Sequence, residues 1–396
     1  MVTKGTSYNT NIEALRGFAA LCVVLDHVII WSDKLNPGFD FRAEIIPYAF
    51  PGHLMVLVFF MLSGYVIGLT NKTTVKFNVK QYIKKRLVRL YPIYLFAVCL
   101  TVILFSITEW KDIMGNLFFL QNVVVRCFDQ NTPLWSLNHE VIYYALAIPL
   151  LYGRFSVLGY AIAIGISLGM SLFWFPVPLV IEGYLVGFLF WLSGFWLSRS
   201  NTDILVDESK FASVFVLLLG CSYLNSATVA LSKLPIHHGE NVLLDVVINV
   251  EDLGLYCACL YAMLVFTGKF HKQSKWIFCA TILISLSHLA VLLKSGGFFN
   301  NPVFMLPAVF VIFAIFLYFI PLPNFSLNPF VWIGKISYAM YVIHAPLIFA
   351  FGYIVFFSGN LLTYIVRLVL FFVITFGLAY FLELKLQPII KKVFKA

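Results

Sequence analysis

Runs of about 20 apolar residues recur along almost the whole chain and are separated by short polar connections. The hydrocarbon core of a bilayer is about 30 Å thick and needs about 20 helical residues to cross it. Because lipid offers no hydrogen bonds, the backbone of each run must satisfy its own, as a helix does. The sequence therefore predicts an all-α, polytopic bundle of transmembrane helices. Ten full-length runs lie near 12–31, 50–70, 91–109, 156–175, 179–198, 211–231, 276–294, 303–320, 335–357 and 361–384, and two shorter ones near 138–153 and 254–269, which gives roughly 10–12 spans.

The composition agrees with a membrane protein and argues against nucleic acid as a partner. Of the 396 residues, 61% are hydrophobic and only 11% are charged. The formal net charge of +9 comes from basic residues in the short connections, without a solvated basic face. The seven cysteines are scattered, six of them in apolar runs, so we expect neither a disulfide framework nor a metal site.

The distribution of basic residues predicts the orientation of the bundle. The connection between the second and third runs is basic and has no acidic residue, which places it in the cytoplasm by the positive-inside rule. Its basic residues are Lys72, Lys76, Lys80, Lys84, Lys85, Arg86 and Arg89. The first helix then runs outward from a cytoplasmic N-terminus, and counting both short runs also places the C-terminus inside. The same count puts Arg154, Arg199, Lys210, Lys269, Lys272, Lys275, Lys391, Lys392 and Lys395 in the cytoplasm.

The chain is expected to form a single domain, 1–396, that retains its first apolar run. Glu13 and Arg16 lie at the start of that run, and no small-residue cleavage pattern closes it, which argues against a signal peptide. The connections are too short for a second folded domain, and the sequence shows no clear internal repeat.

Besides Glu13, three charged or titratable residues lie within or at the start of the first run, namely Arg16, Asp26 and His27. Arg16 and His27 are eleven residues apart, close to three helical turns, so both side chains are expected on one face, about 16 Å apart along the axis, and in one cavity. Taken alone, Arg16 could be a snorkelling anchor and His27 a histidine that bonds a neighbouring helix. Asp26 points about 100° away from His27 and could orient its ring or pair with another helix.

Later stretches repeat this pattern of polar residues at the edge of, or inside, apolar runs. In "YIKKRLVRLYPIY", Arg86 and Arg89 share a helix face at the cytoplasmic edge; alone, they could be topology signals. In "PLWSLNHEVIYYALAIP", Trp135 and Ser136 introduce a short span with Glu140 near its predicted outer end. A carboxylate at that depth requires a partner or a function.

A stretch near the C-terminal end of the chain adds a third polar group. In "GKISYAMYVIHAP", Ser337, Tyr341 and His344 fall on one helical stripe. This spacing lines a cavity more readily than a lipid-facing surface.

Five blocks, in order, resemble the motifs of the acyltransferase-3 family of integral membrane acyltransferases. They are "IEALRGFAALCVVLDHV", "FFMLSGYVIG", "RLVRLYP", "LWSLNHE" and "ISYAMYVIHAP". The sequence departs from the usual pattern at Glu13, where aspartate is more common, and at Asn138 and His139 before Glu140. The block "YFLELKLQP" around Glu383 is only loosely similar to the closing block of the family.

The resemblance implies transfer of an acyl group, most often acetyl, from cytoplasmic acyl-CoA to a hydroxyl of an envelope carbohydrate. Such an acceptor is lipopolysaccharide O-antigen or an exopolysaccharide, and the site of action is the cell inner membrane. Acyl-CoA is a co-substrate, and no tightly bound cofactor is expected. Arg16, Arg86 and Arg89 would bind the anionic end of acyl-CoA, because guanidinium groups match phosphate geometry.

The same residues suggest roles in the chemistry. His27 is the predicted general base for the acceptor hydroxyl, and Glu140 is predicted to orient its ring or stabilise its charged form, as a triad carboxylate does. Trp135 and Ser136 would shape the acceptor side. The candidates for stabilising a tetrahedral oxyanion are Ser337, Tyr338 and His344. Donor and acceptor are expected to enter from opposite faces of the membrane.

Two other functions remain open from the sequence. An arginine and a histidine on one face could serve a proton-coupled secondary transporter, although the matching pair of interrupted helices in two halves is missing. The acyl acceptor could also be a small lipid-linked molecule instead of a polymer.

Overall fold

The computed structural model describes residues 7–71, 77–173, 177–234, 238–239, 248–320, 322 and 325–394. Its α-helices are α1 Ser7–Ile30, α2 Ser32–Leu35, α3 Phe41–Glu44, α4 Gly52–Thr70, α5 Val79–Phe105, α6 Trp110–Leu117, α7 Trp135–Leu151, α8 Val157–Phe173, α9 Leu179–Arg199, α10 Phe211–Cys221, α11 Ser226–Leu231, α12 Tyr256–Thr267, α13 His271–Ser295, α14 Gly297–Asn300, α15 Met305–Phe319, α16 Asn328–Gly352, α17 Leu361–Tyr380 and α18 Gln387–Val393. Turns of 3-10 helix occupy Asp129–Leu134, Glu208–Lys210, Val250–Leu255 and Pro302–Phe304, and a π-helical turn occupies Phe381–Leu386. Two strands of two residues each, β1 Val177–Pro178 and β2 His238–Gly239, pair in parallel.

The predicted all-α, polytopic fold is confirmed. Within the described ranges, nine helical segments are long and apolar enough to cross a membrane. They are Gly52–Thr70, Val79–Phe105, Leu179–Arg199, Glu208–Leu231, Val250–Thr267, His271–Ser295, Pro302–Phe319, Asn328–Gly352 and Leu361–Val393. The run near 254–269, predicted to be short, reaches spanning length because the 3-10 turn Val250–Leu255 continues directly into α12.

Three predicted spans form helices that are absent from these nine. Helix α1 covers the run near 12–31 but carries Glu13, Arg16 and Asp26. Helices α7 and α8, over the runs near 138–153 and 156–175, have 17 residues each. Both are therefore shorter than a bilayer-spanning helix of about 20 residues.

The end of the bundle that carries Arg199 and Lys269 is called the basic end below. Here Arg199, at the end of α9, donates to the Asn71 carbonyl at the end of α4 over 2.9 Å. Lys269 is buried, and its ammonium donates over 2.7 Å to each of the carbonyls of Leu197 and Ser200. Lys269 thus caps the C-terminal end of α9, where a cation is favoured. Lys72, Lys76 and Lys395, which supported the predicted orientation, lie outside the described residues.

Helix α1 packs most closely against α16, along small residues. A Cβ atom at Gly17 would overlap the carbonyl oxygen of Phe330. A second pair, α4 and α9, is equally close, because a Cβ at Gly64 would overlap the carbonyl oxygen of Trp191. Small residues allow this approach, and van der Waals packing is a main source of helix association in lipid.

Helix α5 contains Pro92, whose ring removes the hydrogen bond that the Val88 carbonyl would accept. The side-chain amide of Gln387 donates to that carbonyl over 2.7 Å. Tyr338 of α16 donates to the Leu90 carbonyl over 2.9 Å. These contacts connect α5, α16 and α18 at the level of the arginines of α5.

The segment before α7 enters the bundle instead of remaining in an outer loop. The side-chain amide of Asn131 donates over 3.1 Å to both the Val342 carbonyl and the Thr101 hydroxyl. Gln121 donates to the Leu134 carbonyl over 2.9 Å. The segment from about Glu109 to Pro133, predicted to be an extracytoplasmic loop, is therefore partly buried, because Asn131 bonds the interiors of α5 and α16. Helix α7 consequently begins inside the bundle.

Candidate active site

A cavity of about 250 Å³ lies between α1, α4, α5, α7 and α16; it is called the arginine-lined cavity. Seven residues predicted from the sequence line it: Arg16, Arg86, Arg89, Ser136, Glu140, Ser337 and Tyr338. Its other walls include apolar side chains of α4 such as Val56, Phe59 and Phe60. The cavity thus joins a cationic mouth to an apolar interior.

The three arginines of the cavity differ in their partners. Arg16 forms an ion pair with Glu13, one turn earlier in α1. Arg89 forms an ion pair with the buried Glu383 of the π-helical turn, and its guanidinium lies 5.4 Å from the centre of the Tyr338 ring. Both carboxylates compensate the positive charge, so a bound anion would have to share these two arginines with them.

Arg86 has no carboxylate partner among the described residues. Its guanidinium carbon lies 5.7 Å from the ring centres of both Tyr82 and Tyr144. Its Nε atom is buried and has no hydrogen-bond partner in this part of the chain. Two aromatic rings position the group by cation–π contact and leave its donors available, so Arg86 is the cation best prepared to receive a phosphate.

Glu140 lies on the same side of the site as the arginines. Its carboxylate accepts a hydrogen bond from Ser63 over 3.1 Å and another from Tyr144. The structure shows no contact with His27, so the prediction that Glu140 orients the His27 ring is wrong. Its predicted place at an outer, acceptor-facing end is also wrong, because α7 begins inside the bundle and Glu140 faces the cavity of Arg86.

His27 instead contacts a second histidine. Its Nδ1 atom lies 2.7 Å from Nε2 of His344, and the two rings are nearly parallel. A face of the His27 ring stacks on Trp31, with 4.3 Å between ring centres. His344 is fully buried, whereas His27 is half-buried. The His27–His344 pair is therefore held in one orientation but keeps His27 accessible.

The hydrogen bonds of the pair assign its protons. Nδ1 of His344 lies 2.6 Å from the Tyr341 carbonyl, which can only accept, so this nitrogen carries a hydrogen. In the neutral ring, Nε2 of His344 is then an acceptor and receives the Nδ1 hydrogen of His27. This arrangement leaves the lone pair on Nε2 of His27, the atom that a general base uses.

The histidine pair lies one helical turn beyond the arginine-lined cavity. Tyr341 lines the cavity, and His344 follows it on α16. The expectation that Arg16 and His27 share one cavity is wrong, because Arg16 lines the arginine-lined cavity and His27 does not. The Tyr341 hydroxyl lies 2.8 Å from that of Ser136 and donates to the Pro133 carbonyl over 3.0 Å. Together with Phe59, whose ring contacts that of Tyr341, these side chains close the cavity towards His27.

The predicted oxyanion donors are engaged elsewhere. Ser337 donates to the Gly334 carbonyl over 2.8 Å, Tyr338 donates to the Leu90 carbonyl, and Nδ1 of His344 donates to the Tyr341 carbonyl. Each of these three groups donates its hydrogen to a main-chain carbonyl, so none is free to donate to an oxyanion. Ser136 was predicted to shape the acceptor side. Its hydroxyl lies between the cavity and the histidine pair.

Asp26 and Trp135 lie outside the cavity. Asp26 accepts a hydrogen bond from the Gly52 backbone at the start of α4, near Arg42 and His53. Of the two roles left open for Asp26, the structure shows pairing with a neighbouring helix. The Trp135 ring packs against His53 and His139. His53 is bonded in turn to Asp252 over 2.9 Å.

Several side chains of the site escaped sequence reasoning. Trp31 follows His27 by four positions, and Tyr82 precedes Arg86 by four, so helical spacing alone indicates both neighbours. Ser63 is a polar residue within an apolar run, which is a weaker signal. The contacts of Phe59 and Glu383 depend on partners far away in sequence and carry no local signal.

Comparisons with known proteins identify the family of the chain. The acyltransferase-3 family model, described as an acyltransferase domain, matches residues 9–271. A protein of Acidianus two-tailed virus named "Putative acetyltransferase ORF330" is 28% identical over 232 residues, which are 54% of this chain and 66% of that protein. The chain thus spans just under two thirds of this relative. No solved structure matches the chain.

Proposed function

Because the chain belongs to the acyltransferase-3 family, we propose that it is a membrane-embedded O-acyltransferase. It moves an acyl group, acetyl by analogy with the viral relative, from acyl-CoA to a hydroxyl of an envelope carbohydrate such as lipopolysaccharide O-antigen or an exopolysaccharide. The observation that carries the proposal is the cavity with three arginines at its mouth and a histidine pair one turn beyond its closed end.

The arginine-lined cavity suits acyl-CoA in both charge and shape. The phosphates bind at Arg86, with Arg16 and Arg89 contributing from their ion pairs. The uncharged arm follows the apolar wall of α4 past Phe59. Because Phe59 and Tyr341 close the cavity, their side chains must separate for the thioester to reach His27. Acyl-CoA is a co-substrate and leaves as free CoA.

The histidine pair supplies the base for the reaction. Nε2 of His27 removes the proton of the acceptor hydroxyl as its oxygen attacks the thioester carbonyl. The C–S bond then breaks, and the leaving CoA thiolate takes the proton from His27, so that ester and CoA thiol are formed. His344 accepts the Nδ1 hydrogen of His27 throughout, which is the orienting role that a carboxylate has in a triad.

The developing oxyanion needs a donor close to His27 and the cavity. Ser136 is the candidate for this task because its hydroxyl lies where the cavity closes, beside that of Tyr341. To donate to the oxyanion, its hydroxyl would have to leave the Pro133 carbonyl, to which it donates over 3.3 Å. Ser63 and Tyr144 hold the Glu140 carboxylate near Arg86. Glu140 therefore acts on the donor side, where it positions Tyr144 against Arg86.

The acceptor reaches His27 from the end of the bundle opposite the arginines. The basic end faces the cytoplasm of the inner membrane, by the positive-inside rule, and meets acyl-CoA there. A carbohydrate in the envelope approaches along the other end, near Trp31. The acyl group therefore crosses part of the membrane while it is transferred.

A comparison of envelope glycans tests the proposed function. Cells that lack the protein, or carry His27→Ala, are expected to lose one O-acyl ester, detected by mass spectrometry as a loss of acyl mass. His288→Ala is the matched control, because His288 lies on α13 and bonds the Asn225 backbone. An unchanged glycan in cells that contain well-expressed His27→Ala protein would contradict the role of His27 as base.

A further inference from the structure

A second cavity, of about 410 Å³, lies at the basic end of the bundle. It is formed where α12, α13 and α15 meet the segment that precedes α10, and none of its lining residues also lines the arginine-lined cavity. This cavity is called the α13 cavity below. The proposed acyl transfer uses none of its side chains.

The lining of the α13 cavity is strongly basic. Lys210, Lys272 and Lys275 face it together with His271. The one carboxylate in the lining, that of Asp207, accepts hydrogen bonds from the backbone and the hydroxyl of Ser209. A cluster of three ammonium groups favours an anion with several oxygen acceptors.

Lys210 is held in place at the cavity wall. Its ammonium donates to the Tyr318 carbonyl over 2.6 Å and lies 4.4 Å from the centre of the Tyr318 ring. An ammonium group has three hydrogens, so two remain for a ligand. The order imposed on this long side chain lowers the entropic cost of binding.

The first turn of α13 also faces the cavity. His271, Lys272, Gln273 and Ser274 line it, and no side chain in the described part of the protein caps this helix start. The N-terminus of a helix presents backbone N–H groups and a positive partial charge. Together with the lysines, it completes a site for phosphate oxygens.

The remaining walls are apolar and lie at the ends of membrane-spanning segments. Leu264, Val265 and Tyr318 line the cavity, and the Trp276 side chain, 66% exposed, stands at its edge. Tryptophan at this position is typical of the membrane–water interface. On the outer faces of α13 and α15, exposed side chains such as Leu283 and Phe316 continue the apolar surface from the cavity into the span.

We propose that the α13 cavity binds the headgroup of an anionic phospholipid from the leaflet at the basic end. The phosphate contacts Lys210, Lys272 and Lys275, and the acyl chains lie along α13 and α15. A soluble phosphate compound would leave the apolar walls and the adjoining apolar surface unused. An anionic phospholipid therefore fits both the basic lining and the apolar walls of the cavity.

Native mass spectrometry of the full-length protein in detergent tests this site. The probes are phosphatidylglycerol and phosphatidylcholine with the same acyl chains. Lys272→Gln/Lys275→Gln removes two charges from the cavity, and Lys84→Gln/Lys85→Gln removes two exposed charges from α5 as a matched control. We expect phosphatidylglycerol to bind preferentially, and the cavity variant to lose roughly tenfold or more of its affinity while the control keeps it.

Three outcomes of this experiment would overturn the assignment. The first is equal binding of the two lipids, and the second is an equal loss of affinity in the cavity and control variants. The third is full displacement of phosphatidylglycerol by an equal concentration of inorganic phosphate, which would assign the cavity to a soluble anion. Trp276 provides a second readout that needs no variant of the lysines. Brominated phosphatidylglycerol in vesicles should quench more fluorescence in the wild-type protein than in Trp276→Phe, and no difference between them would contradict the site.

Discussion

At the scale of single residues, the site depends on which partner each ionisable group finds. His27 bonds His344, Arg89 bonds Glu383, and Arg86 keeps its donors unpaired within the described chain. Removing one member of a buried ion pair leaves the other charge buried and uncompensated, which destabilises the protein. Removing an unpaired cation affects only the ligand that it would bind. Arg86 and Arg89 therefore have different roles.

Replacement of Arg86 by alanine should weaken acyl-CoA binding by about tenfold or more, since a charge-assisted hydrogen bond contributes roughly 1.5–3 kcal/mol. Arg86→Lys should recover part of the affinity, because it keeps the charge but loses the planar fork. Calorimetry on the purified protein measures both. Lys85→Ala, on an exposed neighbour in the same helix, is the control, and equal affinities in Arg86→Ala and Lys85→Ala would restrict Arg86 to a topological role.

Replacement of His344 separates a positioning role from a structural one. His344→Leu removes the acceptor for the Nδ1 hydrogen of His27, and kcat should fall by roughly 100-fold or more. The amide oxygen of His344→Gln can still accept that hydrogen, so this variant should retain at least about tenfold more activity than leucine. KM for acyl-CoA should change little in either. Equal kcat values in the two variants would show that His344 only fills space.

At the scale of secondary-structure elements, two features place the site. Helix α1 approaches α16 closely enough for His27 to reach His344 because Gly17 has no Cβ. Helix α7 begins inside the bundle because Asn131 bonds the interiors of two other helices. The second feature brings Glu140 to the arginines and removes it from the acceptor side.

Gly17→Ala should destabilise the protein although alanine is the better helix former. The added Cβ overlaps the Phe330 carbonyl oxygen, and overpacking typically costs about 1–3 kcal/mol. Gly169→Ala in α8 is the matched control, since a Cβ there meets nothing within 4 Å, and it should be neutral or slightly stabilising. Thermal unfolding in detergent measures both. A melting temperature for Gly17→Ala at or above that of Gly169→Ala would contradict the close α1–α16 contact.

At the scale of the whole molecule, cations bond main-chain carbonyls at both ends of a bundle of apolar helices. At the basic end, the contacts between Arg199 and Asn71, and between Lys269 and Ser200, join the ends of α4, α9 and α12. The opposite end is fixed by Arg367, which donates to the carbonyls of Leu35 and Phe351 over 2.9 and 3.0 Å.

Transfer in sealed vesicles of known orientation should require acyl-CoA on the face of the basic end and the carbohydrate on the other. Labelled acyl-CoA is supplied on one face, and an acceptor that cannot cross the membrane is supplied on either. Detergent-opened vesicles are the control, because they should react in every arrangement. Transfer only when both substrates share the basic face would refute the route through the membrane.

The sequence alone determined the fold class and the residues that share a helix face. Apolar runs and a period of 3.6 residues are local properties, so nearly every predicted span became a helix, and seven predicted residues line one cavity. The partners across helices were not determined in this way. His27 and His344 are 317 positions apart, and their contact requires the packing of α1 against α16.

The depth at which α7 starts was decided by the tertiary structure alone. The preceding segment looks like an external loop because it carries polar residues, but its amides find buried carbonyl partners, that of Asn131 on α16 and that of Gln121 at Leu134. Whether a polar side chain faces water or another helix depends on the partner that folding brings to it, and no local pattern encodes that partner. For this reason the sequence identified Glu140 as a candidate, while only the fold placed it beside Ser63 and Tyr144 and away from His27.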